Sequence, residues 1–274
     1  MVLESPGHKL PLLPHRSDSW TLVQLLVLDL RINLHPSLDK GLMTTGDPVS
    51  WTPERTTERG CMTQLYFFCF FAISECYVLT AMAYDRYVAI CNPLMYNVAM
   101  SPKVCSYLMI GSYLMGVFDA MIHTGCILRL TFCDGNTINH YFCDLLPLMK
   151  LSCTSTYVNE IEIFIVGGKD ITVPSIVIFI SYGFIVSSIL QIKSTAGRSK
   201  AFSTCSSHII AVSLFFGSCA FMYLKPSSIG SLNEGKVSSV FYNIVVPMMN
   251  PLIYSLRNKD VKVALRKTLN RREF

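Results

Sequence analysis

Five long apolar runs constrain this chain more than any other feature of its sequence. They are residues 62–84, 105–128, 171–192, 202–224 and 237–256. Each is close to the roughly 20 residues that an α-helix needs to cross the hydrocarbon core of a bilayer. Lipid offers no hydrogen-bond partner to a peptide group, so such runs should be helical, and the alternation typical of barrel strands is absent. Only 15% of the residues are charged. The sequence therefore predicts an all-α membrane protein with five transmembrane helices.

Basic residues are concentrated in three of the segments that flank these runs. They are Arg86 and Lys103 after the first run, Lys193, Arg198 and Lys200 after the third, and Arg257, Lys259, Lys262, Arg266, Lys267, Arg271 and Arg272 in the tail. If the runs alternate in direction, all three segments lie on one face, which the positive-inside rule makes cytoplasmic. The formal net charge of +5 then reflects a basic cytoplasmic side, including the C-terminus, and no nucleic-acid partner is predicted.

Four of the eleven cysteines lie on the opposite, predicted outer face, where oxidation can occur. They are Cys61, Cys133, Cys143 and Cys153. Four cysteines allow three pairings, and the sequence alone does not choose among them. His140 with Cys143, and Cys205 with His208, offer only two ligands each, which is too few for a metal site. We predict neither a metal nor a cofactor.

Residues 1–59 differ from the rest of the chain in composition. They hold six of the thirteen prolines, both tryptophans and an apolar run, 21–30, only about half as long as a membrane span. No small-residue cleavage site marks a signal peptide. Two interpretations stay open, a disordered leader or a half-inserted, re-entrant segment. The expected regions are this leader, a membrane bundle at 60–257, and a cytoplasmic helix and tail at 258–274.

Four short motifs follow one another from Gly60 onward. They are MAYDRYVAIC at 82–91, HYFCD at 140–144, KAFSTCSSH at 200–208 and PMMNPLIYSLRN at 247–258. In this order and at these separations they resemble the olfactory receptors, a family of rhodopsin-like G-protein-coupled receptors. The resemblance implies a rhodopsin-like helical bundle in which the five runs are the family's third to seventh helices. The family's first two helices have no recognisable counterpart in residues 1–59, so the bundle is expected to be truncated to five helices.

The resemblance implies an activation switch formed by two of these motifs. Its residues are Asp85, Arg86, Tyr87, Asn250, Pro251 and Tyr254. We expect Arg86 to pair with Asp85 at the end of the first run, with its stem along apolar surface and its guanidinium reaching water. Pro251 removes a backbone N–H and should kink the last helix. In the family the arginine is held at rest and released toward the G protein on activation.

The segment that follows the last run is predicted to lie on the membrane surface. Val261, Ala264 and Leu265 recur at helical spacing within 258–269, and basic residues surround them. This pattern favours a short amphipathic helix held on the inner leaflet by apolar burial and anionic lipid.

The resemblance also implies two disulfides and a ligand pocket. The disulfides would be Cys61–Cys143 and Cys133–Cys153, which staple the loop at 133–153 as a lid. The pocket would lie among the outer halves of the helices, at Phe68, Cys69, Ala72, Ile73, Phe216, Cys219, Tyr223 and Asn243. Few of these side chains are polar, which suits small volatile molecules bound with modest affinity.

Three polar residues within the runs need an explanation. Asp119 and His123 lie four residues apart and share a helix face, which favours a structural pair over a ligand contact. Glu75 falls in mid-membrane, where an ionised carboxylate is costly. In the family this acid faces an aspartate of the second helix in a sodium-linked cluster. Here it should be protonated, poorly satisfied, or paired with a group that the sequence does not identify.

Together these features predict an odorant receptor of the plasma membrane that activates a stimulatory heterotrimeric G protein. The alternative is a non-functional, truncated or frame-altered product of such a gene, retained in the endoplasmic reticulum if it misfolds. A transporter is a remote alternative because it would need paired repeats with broken helices, and no repeat is found. No nucleophile elbow, zinc-protease motif or P-loop is present, so we do not expect an enzyme.

Overall fold

The computed structural model describes residues 55–132 and 143–223, together with Met249 and Ile253. Its α-helices are α1 (Arg55–Cys91), α2 (Tyr96–Ala99), α3 (Pro102–Ile127), α4 (Leu145–Lys150), α5 (Tyr157–Glu162), α6 (Gly168–Leu190) and α7 (Thr195–Tyr223). A 3₁₀ turn at Pro93–Met95 precedes α2, and a π-helical segment at Ile163–Gly167 joins α5 to α6. The tail helix, the leader up to residue 54, and all but two residues of the fifth predicted run lie outside the described residues.

Within the described part of the chain, four helical stretches are long and apolar enough to cross a bilayer. They are Gly60–Cys91, Pro102–Ile127, Tyr157–Leu190 and Thr195–Cys219. They confirm the first four predicted runs as helices. The last of them has 25 residues, which at 1.5 Å per residue is about 37 Å and exceeds the roughly 30 Å of the hydrocarbon core.

Two of these helices begin earlier than the sequence predicts. α1 begins at Arg55, inside the predicted leader, and runs past the first apolar run to Cys91. The third span is predicted from residue 171 but is helical from Tyr157. The predicted start of the third span was wrong because Glu162, Lys169 and Asp170 interrupt its apolar sequence. These charged groups are tolerated in the span because each lies against an oppositely charged or basic partner inside the bundle.

α1 is the central helix of the described bundle and packs against α3, α6 and α7. α1 and α3 come close together at Gly116. A Cβ atom at this glycine would overlap the Ser74 hydroxyl and lie 2.8 Å from the carbonyl oxygen of Phe70. Small residues permit such close backbone approach between membrane helices, so the absence of a side chain at Gly116 sets the distance between α1 and α3.

Apolar side chains fill the spaces between the helices at both ends. At the end that carries Cys61 and Cys143, hereafter the disulfide end, Leu65 of α1 packs with Ile127 of α3 and Leu148 of α4. Toward the other end, hereafter the Arg86 end, Leu79 of α1 packs with Phe215 of α7. A smaller cluster joins α6 and α7 beside the last turn of α1; its buried members are Ile185, Ile189, Ala201 and Cys205. The core therefore follows α1 along its length.

A proline inside α6 creates a further link to α1. Pro174 has no N–H, so the carbonyl of Asp170, four residues earlier, receives no helical hydrogen bond from this position. The thiol of Cys76 on α1 donates to that carbonyl oxygen at 3.2 Å. The contact satisfies the carbonyl and holds the middle of α6 against α1.

Candidate functional site

The acidic residue of the MAYDRYVAIC motif is held by the segment that follows its own helix. The hydroxyl of Tyr96, at the start of α2, donates to Oδ1 of Asp85 at 2.8 Å. Both residues are buried, with 2% of Asp85 and 7% of Tyr96 exposed. A hydrogen bond to a buried carboxylate is among the stronger neutral-to-charged contacts in proteins. The turn after α1 thus orients Asp85 toward its neighbour Arg86.

Arg86 is buried beside Asp85. Its Nε lies 3.8 Å from Oδ2 of Asp85, which is an ion pair too long to be a hydrogen bond. The pairing expected from the sequence is therefore present, but the expectation that the guanidinium reaches water is wrong. Only 8% of Arg86 is exposed, because α1 continues beyond it to Cys91 and the neighbouring elements pack around this last stretch.

His208 of α7 connects three helices near Arg86. Its Nε2 lies 3.1 Å from the carbonyl oxygen of Leu79 on α1, and its Nδ1 lies 2.7 Å from the hydroxyl of Tyr182 on α6. A carbonyl only accepts, so Nε2 carries the proton, and in the neutral imidazole Nδ1 accepts from Tyr182. His208 is 1% exposed. His208, considered above with Cys205 as a possible metal ligand, is therefore a hydrogen-bonded junction between α1, α6 and α7.

Contacts between α1 and α6 extend to the end of the motif. The ring of Tyr87 lies 5.8 Å from that of Phe184 and 6.2 Å from that of Tyr84. One turn further, the hydroxyl of Ser188 donates to the thiol of Cys91 at 3.2 Å. Tyr87 is thus a packing residue between α1 and α6 in this conformation.

The disulfide end carries a short lid. Cys61 and Cys143 form a disulfide with their Cα atoms 5.5 Å apart, as the family resemblance predicts. Next to it the N–H of Cys143 donates to Gln64 of α1 at 3.3 Å, and Asp144 caps α4 by accepting from the N–H of Leu145 at 2.7 Å. Cys153 is also disulfide-bonded. Its expected partner Cys133 lies outside the described residues, so that pairing stays a prediction.

Known proteins are similar to this chain over most of its length. Residues 50–272 match the family model described as olfactory receptor. The chain belongs to the olfactory receptor family. Olfactory receptor 8B8 of Mus musculus is 71% identical over 215 residues, which cover 78% of this chain and 69% of that relative. Olfactory receptor 8B2 of Homo sapiens is 73% identical over 210 residues, which cover 77% of this chain and 67% of that relative.

Family membership confirms the coarse predictions made from the sequence. This olfactory receptor is a G-protein-coupled receptor with a rhodopsin-like helical bundle, and it is not an enzyme. It is a multi-pass protein of the plasma membrane, in keeping with its four described membrane-spanning helices. In the described residues no group of three or more His, Cys, Asp or Glu side chains could hold a metal ion.

The predicted pocket residues of the receptor fall into two apolar groups that meet at one side chain. Cys69 and Ile73 of α1 are buried in the cluster at the disulfide end. Cys219 of α7 is buried in the cluster toward the Arg86 end, with Phe216 packed against it. Phe68 packs against both clusters. Ala72 is half-buried on the same helix.

The contacts described above do not test the roles predicted for several other residues of the receptor. Asn243, Asn250, Pro251 and Tyr254 lie outside the described residues, and of Tyr223 only the helical backbone is described. Glu75 is buried in α1, with 8% of its surface exposed. The roles of all these residues remain predictions.

Asp119 and His123 each pair with a residue of another helix and not with each other, so the predicted pair is wrong. Lys169 donates to Oδ2 of Asp119 at 2.9 Å, and Nδ1 of His123 lies 2.7 Å from Oε1 of Glu162. The prediction that the two residues share a helix face was correct, but this face lies against α5 and α6. The partners Lys169 and Glu162 fall outside the predicted third run, because charged residues lower the hydropathy of the segment before residue 171. The sequence did contain a signal for these contacts. Asp119 and His123 lie four residues apart on one helix, and several charged residues precede the next apolar run.

Proposed function

We propose that this receptor binds small, mostly apolar odorants between its helices and activates a stimulatory heterotrimeric G protein at its Arg86 end. One observation carries the proposal more than any other. The guanidinium of Arg86 is buried beside Asp85, and the junction at His208 holds α7 against α1 one to two turns away. A cationic group that is covered in one conformation and uncovered in another is suited to switching a partner's binding.

The orientation of the chain supports coupling at that end. A disulfide forms on the oxidising side of a membrane, and α1 carries Cys61–Cys143 near one terminus and Arg86 near the other. The Arg86 end would therefore face the cytoplasm, and the C-terminus would lie on the same side once the fifth predicted run has crossed the membrane. The basic residues Lys103, Lys193 and Lys200 flank the same end, in agreement with the positive-inside rule.

The ligand proposal rests on the character of the side chains around Phe68. Cys69, Ile73 and Cys219 offer apolar contacts and weak hydrogen-bonding groups at most. Such a lining binds by shape and by burial of apolar surface, which gives modest affinity and broad selectivity. We infer that the ligands are small, volatile and mostly apolar molecules.

In the proposed mechanism an odorant favours a conformation in which α7 moves away from α1. That movement breaks the contact between His208 and the Leu79 carbonyl and frees space beside Arg86. Arg86 then leaves Asp85 and contacts the G protein. A ligand can shift this equilibrium only by binding the second conformation more tightly than the first.

Odorant-evoked cyclic AMP in cells expressing the full chain tests the function. We expect a panel of medium-chain aldehydes, ketones and esters to contain an agonist, and Arg86→Ala to abolish its signal while surface labelling is retained. Lys103→Ala is the matched control, since Lys103 is an exposed cation at the same end and should leave the signal intact.

Two outcomes would contradict the proposal. An undiminished response from Arg86→Ala would remove that residue from the mechanism. A chain that reaches the cell surface but responds to no odorant of the panel would instead support the alternative of a non-signalling gene product.

A further inference from the structure

A cluster of charged side chains within the membrane-spanning helices is not used by the proposed switch. Nζ of Lys169 on α6 lies 2.9 Å from Oδ2 of Asp119 on α3 and 3.1 Å from Oδ1 of Asp170. Both aspartates are 4% exposed, whereas 38% of the Lys169 side chain is exposed. Charges at this depth are costly unless they are paired, so the single lysine is what makes the two buried acids tolerable. Asp119, Lys169, Asp170 and Tyr77 are hereafter called the Lys169 cluster.

The third helix of the cluster is α1. The hydroxyl of Tyr77 donates to Oδ1 of Asp170 at 2.9 Å, and the preceding residue, Cys76, donates to the carbonyl that Pro174 leaves open. Asp170 is therefore bound to α1 through both its side chain and its backbone. The Lys169 cluster joins α1, α3 and α6 within about one helical turn.

A second contact between α3 and the third span opposes sliding of the two helices in either direction. His123 of α3 faces Glu162 of α5, and the two helices are antiparallel. Sliding α3 by one turn toward the disulfide end would bring Asp119 closer to Glu162, acid toward acid. Sliding it the other way would bring His123 closer to Lys169. Both shifts separate the buried side chains of Asp119 and His123 from their partners, which opposes a change of register.

We propose that Lys169 is a positioning residue that sets the register of α6 against α1 and α3. Tyr182, which bonds to His208, lies 13 residues further along α6, about 20 Å away at 1.5 Å per residue. α6 is continuous over this distance, and the contact from Cys76 holds it against α1 at the hydrogen bond that Pro174 removes. Its register at Lys169 therefore determines where Tyr182 and Ser188 meet α1 and α7. The Lys169 cluster thereby acts on the His208 junction without touching a ligand or a G protein.

A native contact supplies a reporter for this register. Ser188 and Cys91 lie with Oγ and Sγ 3.2 Å apart at the Arg86 end, so Ser188→Cys places two thiols within disulfide reach. In membranes from cells expressing the full chain, copper phenanthroline would oxidise these thiols. The rate at which positions 91 and 188 become linked would be followed by mass spectrometry of the joined peptides. A variant that also carries Cys91→Ser gives the background.

In the Ser188→Cys background, Lys169→Met should slow linkage at least about tenfold, because removing one partner leaves two buried carboxylates uncompensated. Lys150→Met is the matched control, since Lys150 is exposed on α4 and should not change the rate. Asp119→Lys combined with Lys169→Asp retains one cation and two acids in the cluster. This exchange should restore linkage to within about threefold of the parent rate, whereas Asp119→Lys alone should not.

The exchange variant keeps the test decisive if Lys169→Met does not accumulate in the membrane. Rapid linkage in the exchange variant and slow linkage in Asp119→Lys support the proposal. Equal rates in those two variants, or parental linkage in Lys169→Met, overturn it. The measurement uses neither odorant nor G protein, so its failure would leave the proposed function untouched, and the reverse also holds.

Discussion

The hydroxyl of Tyr96 donates a 2.8 Å hydrogen bond to Oδ1 of Asp85. The two residues belong to different segments, since Tyr96 begins the short helix α2 and Asp85 lies in the last turns of α1. The bond directs one carboxylate oxygen to the tyrosine and leaves the other facing Arg86 at 3.8 Å. The segment between α1 and α3 therefore takes part in holding the arginine, although no sequence motif named it.

Tyr96→Phe should raise the signal that the receptor gives without odorant. Removing the hydroxyl takes a donor away from a buried carboxylate, at a cost of about 1–3 kcal/mol to the closed conformation. The conformation with Arg86 released then becomes relatively more populated. The measurement is basal cyclic AMP normalised to surface-labelled receptor. Tyr107→Phe is the control, since Tyr107 is 71% exposed, and equal basal signals from the two variants would argue against a role for Tyr96.

The two hydrogen bonds of His208 should be coupled in a measurable way. Tyr182→Phe and His208→Phe should each lower the melting temperature of the detergent-solubilised receptor, with His208→Phe costing about 2 kcal/mol for two bonds. The double variant should be less destabilised than the sum of the single ones by about 1 kcal/mol, because both remove the same 2.7 Å contact. Strict additivity would show that the contact contributes nothing to stability.

Gly116→Ala should destabilise the receptor by about 1–3 kcal/mol, since a Cβ there overlaps Ser74 and presses on the carbonyl of Phe70. Gly111→Ala on the same helix is the matched control. Apart from the neighbouring backbone of its own helix, nothing lies within 4 Å of the Cβ position at Gly111. Alanine there should therefore stabilise by up to about 1 kcal/mol through helix propensity. Thermal unfolding followed by fluorescence-detected size exclusion would check both. Loss of stability in both variants would point to a general effect of side chains on α3.

Cys61→Ser should destabilise the disulfide end. The bond spans 82 residues of sequence, and the chain-entropy estimate for a loop of this length is about 4–5 kcal/mol. Surface expression should fall accordingly, and dithiothreitol should lower the melting temperature of the parent more than that of the variant, which keeps only the disulfide of Cys153. Cys126→Ser removes a cysteine that is not disulfide-bonded and should leave both readouts near the parent's. An unchanged melting temperature in Cys61→Ser would mean that the lid is held by its apolar contacts alone.

The sequence predicts those features that depend on local pattern. Apolar runs of sufficient length identify four helices that the structure contains, and the motif around Arg86 locates the pair with Asp85. The spacing of Asp119 and His123 correctly places them on one face of a helix. Periodicity within one helix, however, cannot tell which other helix that face meets.

The missed features all depend on contacts between segments distant in sequence. Lys169 and Asp170 reduce the hydropathy of their run, so the run is predicted too short, although their partners Asp119 and Tyr77 make them compatible with the span. His208 appears in the sequence only as the last residue of the KAFSTCSSH motif and as one member of a two-residue metal candidate. Its actual partners, Tyr182 and the carbonyl of Leu79, come from two other helices and carry no pattern of their own.

The central position of α1 determines which segments of this receptor can accept substitutions. This helix contacts α3, α6 and α7. A new side chain on its buried face must therefore pack against more than one helix at once. The outward sides of α6 and of the π-helical segment before it meet few such demands, and Phe164 and Phe179 are each 82% exposed there. Saturation mutagenesis should accordingly find α1 the least tolerant of the described helices, and substitutions should be accepted most readily on the outward sides of the helices around it.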